Sequence, residues 1–336
     1  MPDRRRYNTV LNTDTNQLEV ENLNEINREF SRLNEHILSA NINYQHDFAF
    51  GDFTPTLKMG GYTEYRTREY NTRLFIYSWK NGLPSNYRVM NVPDELMQDK
   101  NYGEDKLYLL EQVDWRNNYE GNNMLGAGYA GVNLPFGKWN IYAGVRFEHS
   151  RMELISNTQK NEKSPTSVYY TYDDFFPSLN AAYRLNEQHQ FRLSYGRTVN
   201  RPEFREVSSS VYYDFDLASN VQGNYDLKAA YIDNIDLGYE YYPSNGELIS
   251  VSLFYKKFKN PIEWTYTVAG GTDLIYSYIN AKGADNYGVE VDIRKNLDFI
   301  GMKNFSWRSS VSSSSLVIMG TLLLLVFQMP HIRSSQ

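Results

Sequence analysis

From Leu248 to Lys257 the chain changes polarity at almost every step. Ile249, Val251, Leu253 and Tyr255 fall on one side, and Ser250, Ser252 and Lys256 on the other, with Phe254 interrupting the polar side. Successive strand residues point to opposite faces, so a two-residue period marks a strand with one apolar face. The same period returns along most of the sequence. Leu38, Ala40, Ile42 and Tyr44 oppose Ser39, Asn41, Asn43 and Gln45. Trp139, Ile141, Ala143, Val145 and Phe147 oppose Asn140, Tyr142, Gly144, Arg146 and Glu148. Phe191, Leu193 and Tyr195 form a further apolar row, as do Ile235, Leu237, Tyr239 and Tyr241. Tyr287, Val289, Val291 and Ile293 oppose Gly288, Glu290, Asp292 and Arg294. Helical periodicity is scarce, so the pattern predicts an all-β protein of antiparallel strands.

The connections come in two lengths. Short ones at 48–53, 135–138, 186–190 and 243–247 carry the Gly, Asn and Pro of tight hairpins. Long ones are predicted at 79–121, 157–171, 199–230 and 259–285. Short and long alternate if residues 70–122 form a single excursion with "KLYLLEQVDW" inside it. Short turns at one end and long loops at the other are the arrangement of outer-membrane barrels. Glu290, Asp292 and Arg294 in one row need water, as a lumen provides, and the opposite row then meets lipid or a second sheet. Soluble sheets alternate too. A soluble or surface-associated all-β binding module using its long loops is therefore the alternative.

Composition narrows the choice. The 29 Tyr residues and an aromatic content of 15% favour lipid, with Tyr44, Tyr65, Trp139, Tyr183 and Tyr241 near strand ends where interfacial girdles lie. The net charge of −6 gives no nucleic-acid footprint. The absence of Cys excludes disulfides, thiolate metal sites and a Cys nucleophile. "MPDRRRYNTV" lacks the apolar run of a signal peptide, so an exported protein of this kind has its signal peptide missing from this chain.

Two longer stretches carry a family resemblance. "DDFFPSLNAAYRLNEQHQFRLSYGRTVNRPEFRE" (173–206) and "GNYDLKAAYIDNIDLGYEYYPSNGELISVSLFYKKFKNPIE" (223–263) contain four ordered elements. These are Phe176–Asn180, Arg197–Pro202, Gly223–Leu227 and Phe254–Glu263. Together they resemble TonB-dependent outer-membrane receptors, in the style of the Bacteroidetes-type outer membrane protein β-barrel family. Tyr225 stands where that family often has Pro. The resemblance covers about residues 1–307. It implies a transmembrane antiparallel β-barrel, here a partial one of roughly 12–15 strands out of about 22, with the plug domain absent. It also implies a fragment of a receptor for energised uptake of a scarce solute, not transport-competent alone, in the cell outer membrane. Its partners would be outer-membrane lipid, a plug domain, the TonB energy-coupling complex and an unknown small-molecule, glycan or peptide ligand.

The domain reading places a partial barrel at 1–308 and a non-barrel hydrophobic tail at 309–336. After Arg308 alternation stops, and residues 316–327 are apolar apart from Gly320 and Thr321. That break predicts translation outside the barrel's reading frame from about residue 309, with an anchoring tail as the alternative.

Chemistry is sparse. The five His residues lack metal-pair spacing, no hydrolase or phosphate-loop motif occurs, and neither enzyme activity nor a cofactor is expected. His149 beside Ser150 reads as the polar end of a strand, which leaves a barrel lipase without its nucleophile motif. "VYYDFDL" supplies Tyr212, Tyr213, Asp214 and Asp216 as candidate ligand contacts. Arg197, Arg201 and Arg205 are candidates for an anionic ligand or lipid phosphate. For each, ordinary loop packing or salt bridging is the competing reading.

Overall fold

Each two-residue period becomes a strand, and the strands join edge to edge. The computed structural model describes residues 3–6, 9–14, 16–20, 27–80, 98–214, 216–270, 273–297 and 305–319. Its main sheet contains β1 (Asp3–Arg6), β4 (Asn27–Asp47), β5 (Thr56–Trp79), β6 (Leu107–Gln112), β7 (Tyr119–Phe136), β8 (Trp139–Asn157), β9 (Pro165–Arg184) and β10 (His189–Asn200). It continues through β13 (Ala230–Tyr241), β14 (Leu248–Lys259), β17 (Gly283–Asn296) and β18 (Ser306–Met319). The order is β1-β4-β5-β7-β8-β9-β10-β13-β14-β17-β18, with β6 against the end of β5. Every pairing in it is antiparallel. Among the described residues β4 and β18 do not pair with each other, so the sheet is open, as a partial barrel requires.

The register carries one apolar face from β4 to β17. Ile42, Gly61, Gly128, Phe147 and Phe175 are successive partners in one row. Leu193, Leu237, Leu253 and Val289 form another. These side chains stay uncovered by protein: Leu38 is 76% exposed, Ile42 73% and Leu237 50%. On β8 the apolar run from Trp139 to Phe147 gives way to His149, Arg151 and Glu153. At about 3.3 Å per residue that run covers roughly 26 Å of strand, the scale of a lipid-facing band. Aromatic pairs line its short-turn end, with Trp139 and Tyr183 at 4.7 Å and His189 and Tyr241 at 4.7 Å between ring centres. The intruding Phe254 is explained on the opposite face. Its ring fills the space above Gly288, where a Cβ would come within 2.6 Å of it.

The loop lengths segregate by end. The turns at 48–55, 137–138, 185–188 and 242–247 lie at one end, where β17 also ends and β18 begins, and the longer connections leave β5, β8, β10 and β14 at the other. β5 pairs directly with β7, as a single excursion over 70–122 requires, and "KLYLLEQ" returns along β5 as β6; residues 81–97 of that excursion lie outside the described residues. The connection expected at 157–171 is shorter, because β8 and β9 stay paired out to Asn157 and Pro165. Tyr170 and Tyr172 occupy strand positions there. The polar run "SVYYTYDD" concealed the strand because it packs on loops and not on lipid.

The boundary expected at residue 308 falls inside β18, which pairs with β17 from Ser306 to Met319. What changes there is side-chain chemistry. Ser309, Val311, Ser313 and Ser315 sit beside Ile293, Val291, Val289 and Tyr287, so serines occupy much of the face that is apolar on the neighbouring strand. Residues 320–336, the rest of the expected tail, lie outside the described residues.

Two smaller sheets complete the fold. The hairpin β2 (Thr9–Asn12) and β3 (Gln17–Val20) precedes β4. A four-stranded sheet at the long-loop end joins β11 (Val211–Asp214), β12 (Ser219–Gln222), β16 (Asp273–Asn280) and β15 (Ile262–Gly270). The core lies between this loop sheet and the polar face of the wall, where Phe204, Val207, Val221 and Leu227 are 0–3% exposed.

Candidate functional site

After Asn200 the chain turns across the polar face of the wall. Arg201 makes the first contact, reaching Glu148 on β8 at 2.8 Å and Asp174 on β9 at 2.9 Å. Asp174 also accepts from the Tyr231 hydroxyl at 2.7 Å. Pro202 is buried and precedes the one-turn helix α1 (Phe204–Val207). Glu206 accepts a hydrogen bond from the Glu203 backbone N–H at 2.9 Å, closing the helix start. Burial pushes the Glu206 carboxyl up from the usual range.

Phe204 is 1% exposed. Its ring lies over Gly121, where a Cβ would overlap it. The guanidinium groups of Arg66 and Arg68 sit 5.6 and 5.5 Å from its centre. Glu35 pairs with both arginines, and Arg66 also reaches Glu203 at 3.2 Å. The ring is thus held between the wall and a charge cluster that the loop itself helps to close.

The "GN-x-x-L" element locks the other side. A Cβ on Gly223 would collide with the backbone oxygens of Arg205, Glu206 and Ser208, so only glycine allows this approach. Asn224 donates from its backbone to Glu206 at 2.6 Å and from its side chain to the Tyr278 carbonyl at 2.8 Å. Leu227 enters the core. At the end of β14, Asn260 has φ +54° and Pro261 is buried. The Asn280 side chain then ties Lys228 to Asn260. The resemblance motifs therefore build one packed loop cluster.

The predicted site residues separate within it. Tyr212 faces inward, with its hydroxyl 3.4 Å from that of Tyr278 and the Arg205 guanidinium 3.4 Å from its ring centre. Tyr213 lines a cleft against the ends of β4 and β5. Asp214 is a turn former: its Oδ1 accepts from the N–H groups of Asp216 and Leu217 at 2.9 and 3.0 Å. Asp216 is exposed. Arg197 lies over the Tyr231 ring at 5.1 Å, beside Asp233 in the register. The seven residues do not converge on one point. His149 bonds Asp173 at 2.8 Å, and its neighbour Ser150 bonds Asn123 from the opposite strand face. Sequence reasoning missed the acidic partners Glu35, Glu148 and Asp174. Their signal was a carboxylate recurring on the polar side of a lipid-length strand, where water or a cation must answer it.

A one-sided apolar wall, short turns at one end and packed loops at the other define an outer-membrane type of β-barrel. The chain matches the family "TonB dependent receptor-like, beta-barrel" over residues 2–321, and it belongs to that family. It is similar to the ferric citrate transporter FecA in unliganded form, with TM-score 0.58 and 15% identity over 90% of this chain and 38% of that one. It is also similar to the ferric-catecholate import receptor Fiu from E. coli, with TM-score 0.55 and 15% identity over 89% and 41%. The alcaligin outer-membrane receptor FauA from Bordetella pertussis gives TM-score 0.51 and 10% identity over 92% and 46%. At these identities the likeness is one of fold, and this chain spans less than half of each of the three. No curated protein matches the chain.

Proposed function

We propose that the chain is the wall and loop portion of a receptor that takes a scarce solute across the outer membrane. The observation that carries this is the one continuous apolar face with all long connections at one end. Loops capture the solute, and a plug domain coupled to the TonB complex supplies the moving part. The three similar receptors are named for ferric citrate, ferric catecholate and alcaligin, which supports a small-molecule ligand. Of the predicted contacts, Tyr213 and Asp216 are best placed to face one. Tyr212, Asp214, Arg201 and Arg205 act through loop structure, and Arg197 stands at the lipid-proximal rim. The chain alone does not transport, because among the described residues the edge of β4 beyond its short pairing with β1 and the edge of β18 expose backbone groups that lipid cannot satisfy. A change of reading frame near codon 309 fits the serine-rich face of β18, and reading the other frames past codon 308 for a continued apolar alternation tests it.

The reading is tested by refolding the chain in detergent. A heat-modifiable gel shift together with no solute uptake in liposomes is the expected result. A chain that folds and stays monodisperse without detergent would establish the soluble binding module instead.

A further inference from the structure

The two edges of the four-stranded loop sheet are finished differently. At β11 the Asn117 side chain accepts from the Val211 N–H at 2.9 Å. The other edge is β15, which pairs with β16 alone among the described residues. An edge strand presents a row of unpaired N–H and C=O groups, and proteins blunt such edges with charge, Pro or a cover. From Trp264 to Val268 β15 carries no charged residue and no Pro. What completes this edge must be extended and must offer amide donors and acceptors in alternation, as a polypeptide does.

The side chains of β15 narrow the kind of polypeptide. Tyr212, Val221, Tyr276 and Tyr266 are successive partners in one row. Val221 is fully buried in the loop core and Tyr266 is more than half exposed, so the row runs out of the core at the edge. Trp264 and Val268 share that face and are likewise more than half exposed. Trp264 packs against Tyr278 at 4.6 Å and Tyr266 against Tyr276 at 6.0 Å between ring centres. A further strand with apolar residues at alternate positions would continue this face. On the opposite face Glu263 precedes Thr265 and Thr267. Burial raises the Glu263 carboxyl, and no cation among the described residues lowers it again. A basic side chain on the added strand would answer it. A second copy of β15 has no Lys or Arg between Ile262 and Gly270 to do so.

We propose that the open edge of β15 takes an extended peptide as an added strand, with apolar residues at alternate positions and a basic residue on the Glu263 face. This goes beyond the uptake reading and does not depend on it.

The test is fluorescence anisotropy of a dye-labelled, end-blocked peptide of alternating Val and Thr with Lys at each end, added to the refolded full chain in detergent. Lys and Thr share one face of this peptide and Val the other, so either strand direction brings a Lys to Glu263. The expected result is saturable binding, weakened about tenfold by methylating the peptide's backbone nitrogens and about tenfold by Tyr266→Lys, which charges the edge. Glu263→Lys should reverse the preference, so that the same peptide ended by Glu binds better than the Lys form. Glu187→Ala at the short-turn end leaves binding unchanged, and the heat-modifiable shift confirms that each variant folds. Equal binding of the methylated peptide overturns strand addition. Binding indifferent to both β15 variants overturns the site. A folded chain that binds no peptide but self-associates until Tyr266→Lys is introduced gives the edge to a second copy and overturns the peptide. A folded chain that does neither overturns the proposal outright.

Discussion

The strand wall and the loop cluster place their apolar residues by opposite rules. On the wall the most apolar side chains are the most uncovered, with Leu38 at 76% and Ile42 at 73% exposed. In the loop cluster Phe204 and Val221 are at 1% and 0%. A water-soluble protein would hide the first set as thoroughly as the second. The wall is therefore solvated by hydrocarbon on one face and water on the other, while the loops, surrounded by water, need a core of their own. They find it by leaning on the polar face of the wall, through Gly121, Leu154 and Tyr170.

Truncating the loop core breaks this comparison most strongly. Phe204→Ala leaves a cavity between Gly121 and the Arg66–Arg68 pair and is expected to cost about 3–5 kcal/mol. The loss should be local. Protease cleavage within 201–229 should become fast, while the strand signal in circular dichroism persists. Simultaneous loss of both would show that loop and wall form one cooperative unit.

Leu237→Arg comes next and separates lipid from water directly. The residue is half exposed in mid-strand on the apolar face. In a bilayer the substitution is expected to cost about 2–4 kcal/mol, as for a midplane Arg. In a protein surrounded by water, an exposed Leu-to-Arg change stays within about 0.5 kcal/mol. Urea titration of the chain refolded in vesicles distinguishes the two values.

The wall was legible in the sequence because period two is a local signal. Ile249, Val251, Leu253 and Tyr255 declare a face without reference to their partners, and the neighbouring strands repeat it in register. The loop cluster was legible only through motif resemblance. The roles of Gly223 and Asn224 depend on where Glu206 and Tyr278 arrive from distant segments. The same distance hid the partners of Arg201, which lie on two strands far from it in sequence. A carboxylate beside tyrosines suits ligand contact and suits an Asx turn equally, so the sequence alone does not reveal that Asp214 Oδ1 accepts from the Asp216 and Leu217 N–H groups.

A second contrast, between β17 and β18, calls for a smaller perturbation. The two strands share one ladder, but Val289 faces its neighbours where Ser313 stands on β18. Trp307, Val311 and Val317 leave β18 only an interrupted apolar face beside its backbone pairing with β17. Ser313→Val is expected to stabilise the refolded chain by about 1 kcal/mol if β18 meets hydrocarbon, read as a shift in the urea midpoint. An unchanged midpoint would place β18 outside the bilayer and make residue 308 the end of the lipid-facing wall.

The smallest expected effect is a pH dependence confined to the loops. Burial raises the Glu206 carboxyl, so the folded loop favours its neutral form. The folded state then binds more protons than the unfolded one between the ordinary carboxylate value and the raised one. Stability from this group is fully present below the ordinary value and is lost as pH rises through the raised value. Glu206→Gln keeps an oxygen for the Glu203 N–H and removes the charge. It is expected to leave loop stability unchanged at low pH and to increase it at pH 8 by less than about 1 kcal/mol, the scale of one net hydrogen bond. Limited proteolysis of 201–229 at the two pH values reads the difference. A variant less stable than the parent at pH 8 would mean that the ionised carboxylate is itself wanted there, answering a positive charge in the loop cluster, and that the burial of α1 is electrostatic as well as apolar.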